Sequence, residues 1–562
     1  MKRIKLCCVA LAFAFVLGTS SQAASTVEKP TSVKGALLSI STSDLSGLID
    51  EIGSVAQKIS PMMNAGMLKM MIGNQVGDPT LQGFAPEKGF AVVAIDPTNI
   101  FAIVELKKEQ YPSYTNQLTG LSFQYTNNVL VIGSSSDVLE KGIASIDSVN
   151  TALFSKREPT LRIDLQAEKA IEKNQKVIQD FLQSIPTSMA QSMMHAPGAT
   201  LDSTAQTMRV LEGELRVALA VASQCDVLEI VLAPKEGGLR ISETLSAKSG
   251  TPLAKLLDAP RATKPNPRIR AGYLGNDALR LEADLANPEA LLDFLTKEVD
   301  KVLKTMDIQD VDAQQLVASN HKWLDIAAGS FAETFSFGGD AGMQIGVLMA
   351  VSDEAKALKL LEESPADMQG ALQSLDDFGF SSKIVFKKNV RTYKGVQIHQ
   401  IRLDMTNTNI PAEVTEELAA MQLTNLVYDA VITNGVLGLC MGTDKMDRLI
   451  DRLQDADFQP QPLYAQNLFS KNGFLYADLD LAKYIEGIAS LMPTDQSASF
   501  QPILELLKGA PPLTFFGIKG NQSVSWKVDI PAKLIEKYGQ AFLMQQMQQM
   551  QQPAPMPAPA QP

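Results

Sequence analysis

The chain repeats its own sequence over a long distance, and this feature constrains its fold more than any other. Thr126-Asn127-Asn128-Val129-Leu130 is followed seven residues later by Asp137, and Thr433-Asn434-Gly435-Val436-Leu437 is followed at the same distance by Asp444. A second block, Leu153-Phe154-Ser155-Lys156, returns as Leu468-Phe469-Ser470-Lys471. A repeat this long predicts a duplicated domain and not a solenoid, whose units span about 20–50 residues.

The two copies and their flanks predict five segments. A signal peptide occupies 1–23, a first α+β repeat 31–258, a Pro-rich linker 259–267, a second α+β repeat 268–538, and a Gln/Met- and Pro/Ala-rich tail 539–562. The linker prolines cannot continue a helix or a central strand. The second repeat contains an insertion of about 60 residues, with a predicted hairpin around Lys394-Gly395. Insertions on a scaffold are common places for function.

Within each copy the pattern predicts a strand, an amphipathic helix and several hairpins. Asn434-Gly435 suits a type I′ turn, in which both central residues have positive φ. Asn287 before Pro288 is typical of a helix start. Because the connections between strands are short, the fold class is α+β, with a mainly antiparallel sheet and helices packed on one face in each copy.

The first residues are typical of an export signal. Lys2, Arg3 and Lys5 precede an apolar run that is too short to anchor the chain in a bilayer, and Ser21-Gln22-Ala23 fits the small-x-small cleavage rule. We therefore expect a periplasmic or secreted protein of bacterial type. No later stretch predicts a transmembrane helix.

Charge and cysteine content limit the partners and the redox chemistry. The formal net charge is −12, and signal removal makes the mature chain more acidic. Nucleic acid is an improbable partner, since phosphate binding requires clustered Lys and Arg. Cys225 and Cys440 do not occupy matching places in the repeats. They either form one disulfide or, as we favour, serve as two small buried hydrophobes.

A search for chemistry finds no catalytic, cofactor or metal motif. His195, His321 and His399 lie far apart without metal-ligand spacing, and each is best explained as a structural or surface residue. There is no Gly-x-Ser-x-Gly elbow, P-loop or dinucleotide glycine pattern. We predict no enzyme, no cofactor and no metal, although a pair of carboxylates has no sequence signature.

Methionine is the compositional anomaly. The predicted apolar groove is lined by two clusters: Met62, Met63, Met67, Met70, Met71, Met189, Met193 and Met194. Methionine-rich surfaces adapt to varied apolar ligands. The plainer alternative is that these side chains fill gaps in the core, and composition favours it.

Tyr393-Lys394-Gly395-Val396, together with the signal peptide, the helix and the hairpins, resembles secreted bacterial proteins that carry a domain of unknown function. The resemblance covers most of the mature chain and implies no reaction. A looser similarity, to periplasmic lipoprotein carriers, implies a sheet that holds lipid under helices.

These observations predict an exported, non-enzymatic envelope protein that binds an apolar ligand, such as a lipid, or an envelope protein partner. The alternative is a structural or scaffolding protein without a small-molecule ligand. In that case the repeats form an intramolecular pseudo-dimer, and the tail either tethers the chain to the envelope or is inert.

Overall fold

A computed structural model describes residues 32–551 of the chain, apart from 174–219, 306–321, 338–342, 374–379, 408–424, 461–472 and shorter stretches chiefly within 77–119 and 492–499. The predicted signal peptide and the end of the tail lie outside the described residues. The chain combines helices with a large antiparallel sheet in similar amounts, so the predicted α+β class is confirmed.

The described part of the chain forms an 18-stranded sheet in which all pairings are antiparallel. The first half contributes β1 (Leu38–Thr42), β2 (Phe90–Ala94), β3 (Ile100–Glu105), β4 (Ser122–Thr126), β5 (Val129–Gly133), β6 (Leu161–Gln166), β7 (Cys225–Lys235) and β8 (Gly238–Ala247). The second half contributes β9 (Leu279–Asp284), β10 (Ala327–Phe337), β11 (Met343–Val351), β12 (Phe380–Tyr393), β13 (Val396–Asn407), β14 (Asn425–Thr433), β15 (Val436–Met441), β16 (Gly473–Leu479), β17 (Leu513–Gly520) and β18 (Ser523–Ile530).

Both halves have the same strand order when each is followed from its outer edge inward. The first half runs β4-β5-β3-β2-β1-β6-β7-β8. The second runs β14-β15-β11-β10-β9-β16-β17-β18, and the predicted inserted hairpin, β12 with β13, extends its outer edge. The two halves therefore share one strand order, and the duplication stays a prediction from the sequence.

The halves meet where β8 pairs with β18, so the two predicted repeats share one continuous sheet. At the centre of this joint Ser242 pairs with Lys527. Arg240 donates to both carboxylate oxygens of Asp529 at 2.5 and 2.6 Å. The last strands of two like hairpins therefore meet antiparallel, as two subunits do across a two-fold axis.

Helices connect these strands, and none of those described is long and apolar enough to cross a bilayer. They are α1 (Leu45–Ile59), α2 (Ala65–Val76), α3 (Ser136–Ala144), α4 (Ile146–Leu153), α5 (Ala167–Lys173), α6 (Pro252–Asp258), α7 (Pro288–Thr305), α8 (Glu354–Gln373), α9 (Thr443–Gln454), α10 (Leu481–Ser490), α11 (Gln501–Leu507) and α12 (Ala532–Gln551).

Helices cover both faces of the sheet, so the prediction that they pack on one face is wrong. Leu130 contacts the cluster that includes Ile49 of α1, whereas its neighbour Val131 contacts the cluster that includes Val138 of α3. Successive strand residues point to opposite faces, which we call the α1 face and the α3 face. The prediction came from the short connections, which determine that neighbouring strands run antiparallel but not on which face a connecting helix packs.

Several local predictions are confirmed. Asn434 and Gly435 both have positive φ, at 51° and 70°, as a type I′ turn requires. Asn287 caps α7 by accepting a hydrogen bond from the backbone N–H of Ala290 at 2.9 Å. The predicted hairpin at Lys394-Gly395 is present and its strands are longer than expected.

The Pro-rich linker lies against the second half. Thr263 Oγ1 donates to the carbonyl of Leu285 at 2.9 Å, and Asn266 caps a short 3₁₀ helix, Pro267–Gly272. That helix leads into Tyr273, which is buried in the core of the second half beneath α9. The linker therefore belongs to the packing of the second half.

Candidate docking surface

Charged side chains lie within the sheet on the α3 face, but each of those described below is paired with another side chain and has a structural role. Asp164 accepts a hydrogen bond from Ser39 at 3.1 Å and one from Arg162 at 2.8 Å. Burial raises the pKa of Asp164, and the neighbouring guanidinium opposes that shift. At the matching place in the second half, Asp478 accepts from Arg280 at 2.7 Å. Arg280 and Asp478 lie opposite each other on the neighbouring strands β9 and β16. Arg162 and Asp164 lie on one strand, and Arg162 also pairs with Glu229 of the neighbouring strand β7 at 2.8 Å. Such pairs within a sheet have the geometry of structural ion pairs.

Histidine and cysteine also have structural surroundings where the chain is described. His399 stacks on Phe386 with ring centroids 5.8 Å apart, and its Nδ1 accepts from the backbone N–H of Asn389 at 3.2 Å. Cys225 and Cys440 are both free and buried, and burial raises the pKa of each thiol to about 12. The favoured interpretation of two small buried hydrophobes is confirmed. His195 and His321 lie outside the described residues.

Among the residues that the structure describes, no group of three or more His, Cys, Asp or Glu side chains is placed to hold a metal ion. The strongest feature that remains is the helical hairpin of α1 and α2, which contains the first methionine cluster.

The hairpin follows from its sequence. Asp44 caps α1 by accepting from the backbone N–H of Gly47 at 2.8 Å. Ser60 ends α1, and Asn64 caps α2 by accepting from the backbone N–H of Met67 at 3.0 Å. Asp and Asn favour these positions because their side chains satisfy N–H groups that have no partner within the helix.

The two helices pack closely because Gly53 has no side chain. A Cβ atom at Gly53 would lie 2.4 Å from Cα of Ala65. Asp50 and Lys69 form an ion pair across the hairpin at 2.6 Å. Leu68 of α2 and Ile49 of α1 pack toward the sheet in one cluster. These contacts fix which side of α2 points inward.

The methionines occupy the outward side of this hairpin. Met62 is 80% exposed, Met71 54% and Met70 51%, and Met63 and Met67 are exposed as well. Met67 lies one helical turn from both Met70 and Met71, so the three are neighbours on the surface of α2. We call the surface formed by Met62, Met63, Met67, Met70 and Met71 the methionine surface.

This placement bears on the core-filling interpretation of the first cluster. Core filling is wrong for these five residues, because all of them are exposed. Met189, Met193 and Met194 of the second cluster lie outside the described residues, so the structure does not bring the two clusters together. Met446, in contrast, fills the core below α9.

Sequence analysis missed two further members of the same exposed region. Ile59 at the end of α1 and Ile72 of α2 are both exposed. The sequence does contain a signal for them: α2 has apolar side chains on every side, which is typical of a helix that is buried or bound to a partner. Helix α12 packs closely beside Ile59, since a Cβ atom added at Gly539 would lie 2.5 Å from Ile59 Cα. The neighbouring Tyr538 of α12 is exposed.

The arrangement offers flexible, polarisable thioethers with little charge among them. Lys69 is the charged residue of α2, and Asp50 neutralises it. A contiguous group of exposed apolar side chains is a common mark of an interaction site.

No protein-family model, curated protein or solved structure matches the chain. The resemblance to secreted bacterial proteins of unknown function therefore stays a prediction.

Proposed function

We propose that this chain is a non-enzymatic binding protein that docks an apolar surface of a protein partner on the methionine surface. One observation carries the proposal: an amphipathic helix, α1, holds against the sheet a second helix whose outward residues are nearly all apolar. Isolated exposed apolar residues are ordinary on protein surfaces, but a contiguous group on one helical hairpin is not.

A protein surface suits this site better than a small apolar molecule does. Pockets for small ligands bury about 70–90% of the ligand surface between several walls. Among the described residues the methionine side chains point outward from the hairpin, so a small molecule would meet one wall formed by that part of the chain. A partner with an apolar groove or face would supply the other wall, and methionine adapts its shape to such partners.

The charge pattern supports the same choice. The chain carries a net charge of −12, and the ion pair between Asp50 and Lys69 leaves no excess positive charge on α2. Anionic lipid surfaces attract clusters of Lys and Arg, about 1 kcal/mol for each residue. Apolar contact with a protein therefore agrees better with this surface than electrostatic docking on a membrane. Export to the envelope remains part of the proposal.

Site-specific photocrosslinking in the native host tests the proposal. A photoreactive residue at position 70 should give a discrete protein adduct. The same residue at Glu140, on the exposed side of α3, should give none. Replacing Met62, Met63, Met67 and Met71 by Gln should abolish the adduct at position 70 while circular dichroism stays unchanged.

Exposed Met544 of α12 provides the matched control, since Met544→Gln changes one exposed methionine outside the surface. The adduct should survive this change. Adducts that contain lipid, or that form equally at positions 70 and 140, contradict docking of a protein partner.

A further inference from the structure

The methionine surface also has chemistry of its own. Thioethers are oxidised to sulfoxides, and susceptibility follows exposure. We propose that the methionine surface is a modification site at which hydrogen peroxide converts methionine to methionine sulfoxide, and that this conversion changes the surface from apolar to polar without unfolding the protein. The inference is independent of the docking partner.

Exposure distinguishes the methionine surface from the buried methionines among the described residues. Met62 is the most exposed, and the other four members of the methionine surface have between about two fifths and about half of their surface open. Met446 is completely buried, and Met441 is nearly so. An oxidant in solution can therefore reach the sulfur atoms of the first group directly, whereas those of the second become reachable only when the core opens.

The reaction is a two-electron oxygen transfer. The thioether sulfur attacks one oxygen of hydrogen peroxide, a sulfur–oxygen bond forms and the oxygen–oxygen bond breaks. The proton on the attacked oxygen passes to the departing hydroxide, so the products are methionine sulfoxide and water. Thiol-dependent methionine sulfoxide reductases reverse the change, one enzyme for each sulfoxide epimer.

The packing of the hairpin lets the surface change while the fold persists. The contact between Gly53 and Ala65, the ion pair between Asp50 and Lys69, and the inward side chain of Leu68 hold α2 in place. None of these contacts uses a thioether of the methionine surface. A sulfoxide on the outward side adds a strong dipole where water already reaches, so it removes apolar area without leaving a buried polar group.

Graded treatment of the full-length protein with hydrogen peroxide, followed by peptide mass spectrometry, tests the site. Sulfoxide should accumulate at the five positions of the methionine surface. It should form at Met441 and Met446 at least about tenfold more slowly, because those residues require local opening. Equal rates in the two groups would show that oxidation follows unfolding, and would overturn the proposal.

Hydrophobic-interaction chromatography tests the change in polarity. Oxidised protein should elute earlier than untreated protein, and treatment with both reductases should restore its retention. A variant with Leu at all five positions keeps the apolar surface but loses these five sulfur atoms, so oxidant should shift its retention much less than that of the unmodified chain. Met544→Leu should respond like the unmodified chain. An identical response of the five-Leu variant and the unmodified chain would contradict a role for this surface.

Discussion

The two halves of the sheet offer a direct comparison at one place, the core beneath the first turns of α3 and α9. In the first half Val93 pairs with Phe101 on neighbouring strands; in the second half Thr334 pairs with Gly346 at the same place in the strand order. The third residue of the helix above is Val138 in α3 and Lys445 in α9.

The comparison extends to the residues that precede β1 and β9. There Ala36 in the first half corresponds to Asp277 in the second, because Leu37 and Ala278 make the equivalent backbone hydrogen bonds to Ala94 and Phe335. The apolar residues at these positions in the first half thus correspond to polar residues in the second half. All of these residues except Gly346, which has no side chain, are buried.

The polar residues fit into the second half because Gly346 stands where the first half has the ring of Phe101. Phe101 fills the first core, whereas Gly346 leaves room that the Lys445 side chain occupies. A Cβ at Gly346 would lie 3.1 Å from Lys445 Cε and 2.7 Å from Thr334 Oγ1. Lys445 Nζ donates to Thr334 Oγ1 at 2.8 Å. One backbone frame therefore accepts either a ring or a buried amine, and it is the side chains that determine how the two halves respond to mutation and pH.

Phe101→Ala should have the largest effect, because it removes a buried ring from the apolar core. We expect a loss of about 3–5 kcal/mol in the free energy of unfolding. Chemical denaturation followed by circular dichroism measures this loss. Phe123→Ala is the matched control on the edge strand β4, where the ring is exposed, and it should change stability by less than about 1 kcal/mol. Similar losses for both variants would mean that Phe101 does not organise the first core.

Making the second core resemble the first should stabilise the protein. In the triple variant Asp277→Ala, Thr334→Val, Lys445→Met, the buried amine, hydroxyl and carboxylate are all replaced by apolar groups. Replacement of a complete buried polar set by apolar residues of similar size is neutral or stabilising by about 1–4 kcal/mol. The same denaturation measurement applies. A clear loss of stability would show that the polar set contributes net stability.

The reciprocal change sharpens that test. Val138→Lys introduces the amine into the first half, where Phe101 holds the strand position that Gly346 holds beside Lys445 in the second half. This variant should lose stability, because a buried charge there has neither a partner nor room. If it is tolerated, the ring does not explain the difference between the halves.

The second half should also respond to pH through Asp277. Its Oδ1 atom is buried and accepts no hydrogen bond from any described residue. Burial raises the pKa of Asp277 above its ordinary value of 3.8, and the charge of Lys445 opposes this shift. A group with a raised pKa in the folded state gives stability that is complete below its unfolded pKa and is lost as the pH rises through the folded value.

Asp277→Asn should therefore gain stability relative to the unmodified chain as the pH rises from 3.8, and the gain should level off above the folded pKa. Denaturation midpoints across this range measure the gain. In the Lys445→Met background the rise should extend to higher pH, since the opposing charge is gone. A stability difference that does not vary with pH would exclude titration of Asp277.

Much of the fold was predictable from local rules. Asn434-Gly435, Asn287-Pro288 and the Lys394-Gly395 hairpin act through backbone conformation over a few residues, and sequence patterns capture such effects. The continuous sheet was not predicted, because the pairing of Ser242 with Lys527 joins strands that are distant in the chain. Such pairing has no local signal.

The candidate site also combines a feature that the sequence reveals with one that depends on tertiary contacts. The cluster from Met62 to Met71 is visible in the sequence, but its exposure depends on whether Leu68 or Met70 faces the sheet. That choice is made by the close contact at Gly53 and by the ion pair between Asp50 and Lys69. These are tertiary contacts, and composition alone favoured core filling for methionine.

The smallest predicted effect concerns the matching carboxylates of the two halves. Ser39 donates to Asp164 in the first half, whereas the matching donor to Asp478 is the guanidinium of Arg280. Ser39→Ala should reduce the free energy of unfolding by about 1 kcal/mol, since it removes one neutral donor and Asp164 keeps Arg162.

The hydrogen bond from Ser39 lowers the pKa of Asp164, so its removal should raise that pKa further. The loss in Ser39→Ala should therefore be largest when Asp164 is ionised and should shrink as the pH falls through its folded pKa. Ser41→Ala, on the same side of β1 and equally buried, is the control whose effect should not follow this titration. A loss of several kcal/mol for Ser39→Ala would mean that Arg162 does not satisfy Asp164, and the two halves would then depend on their carboxylates to the same degree.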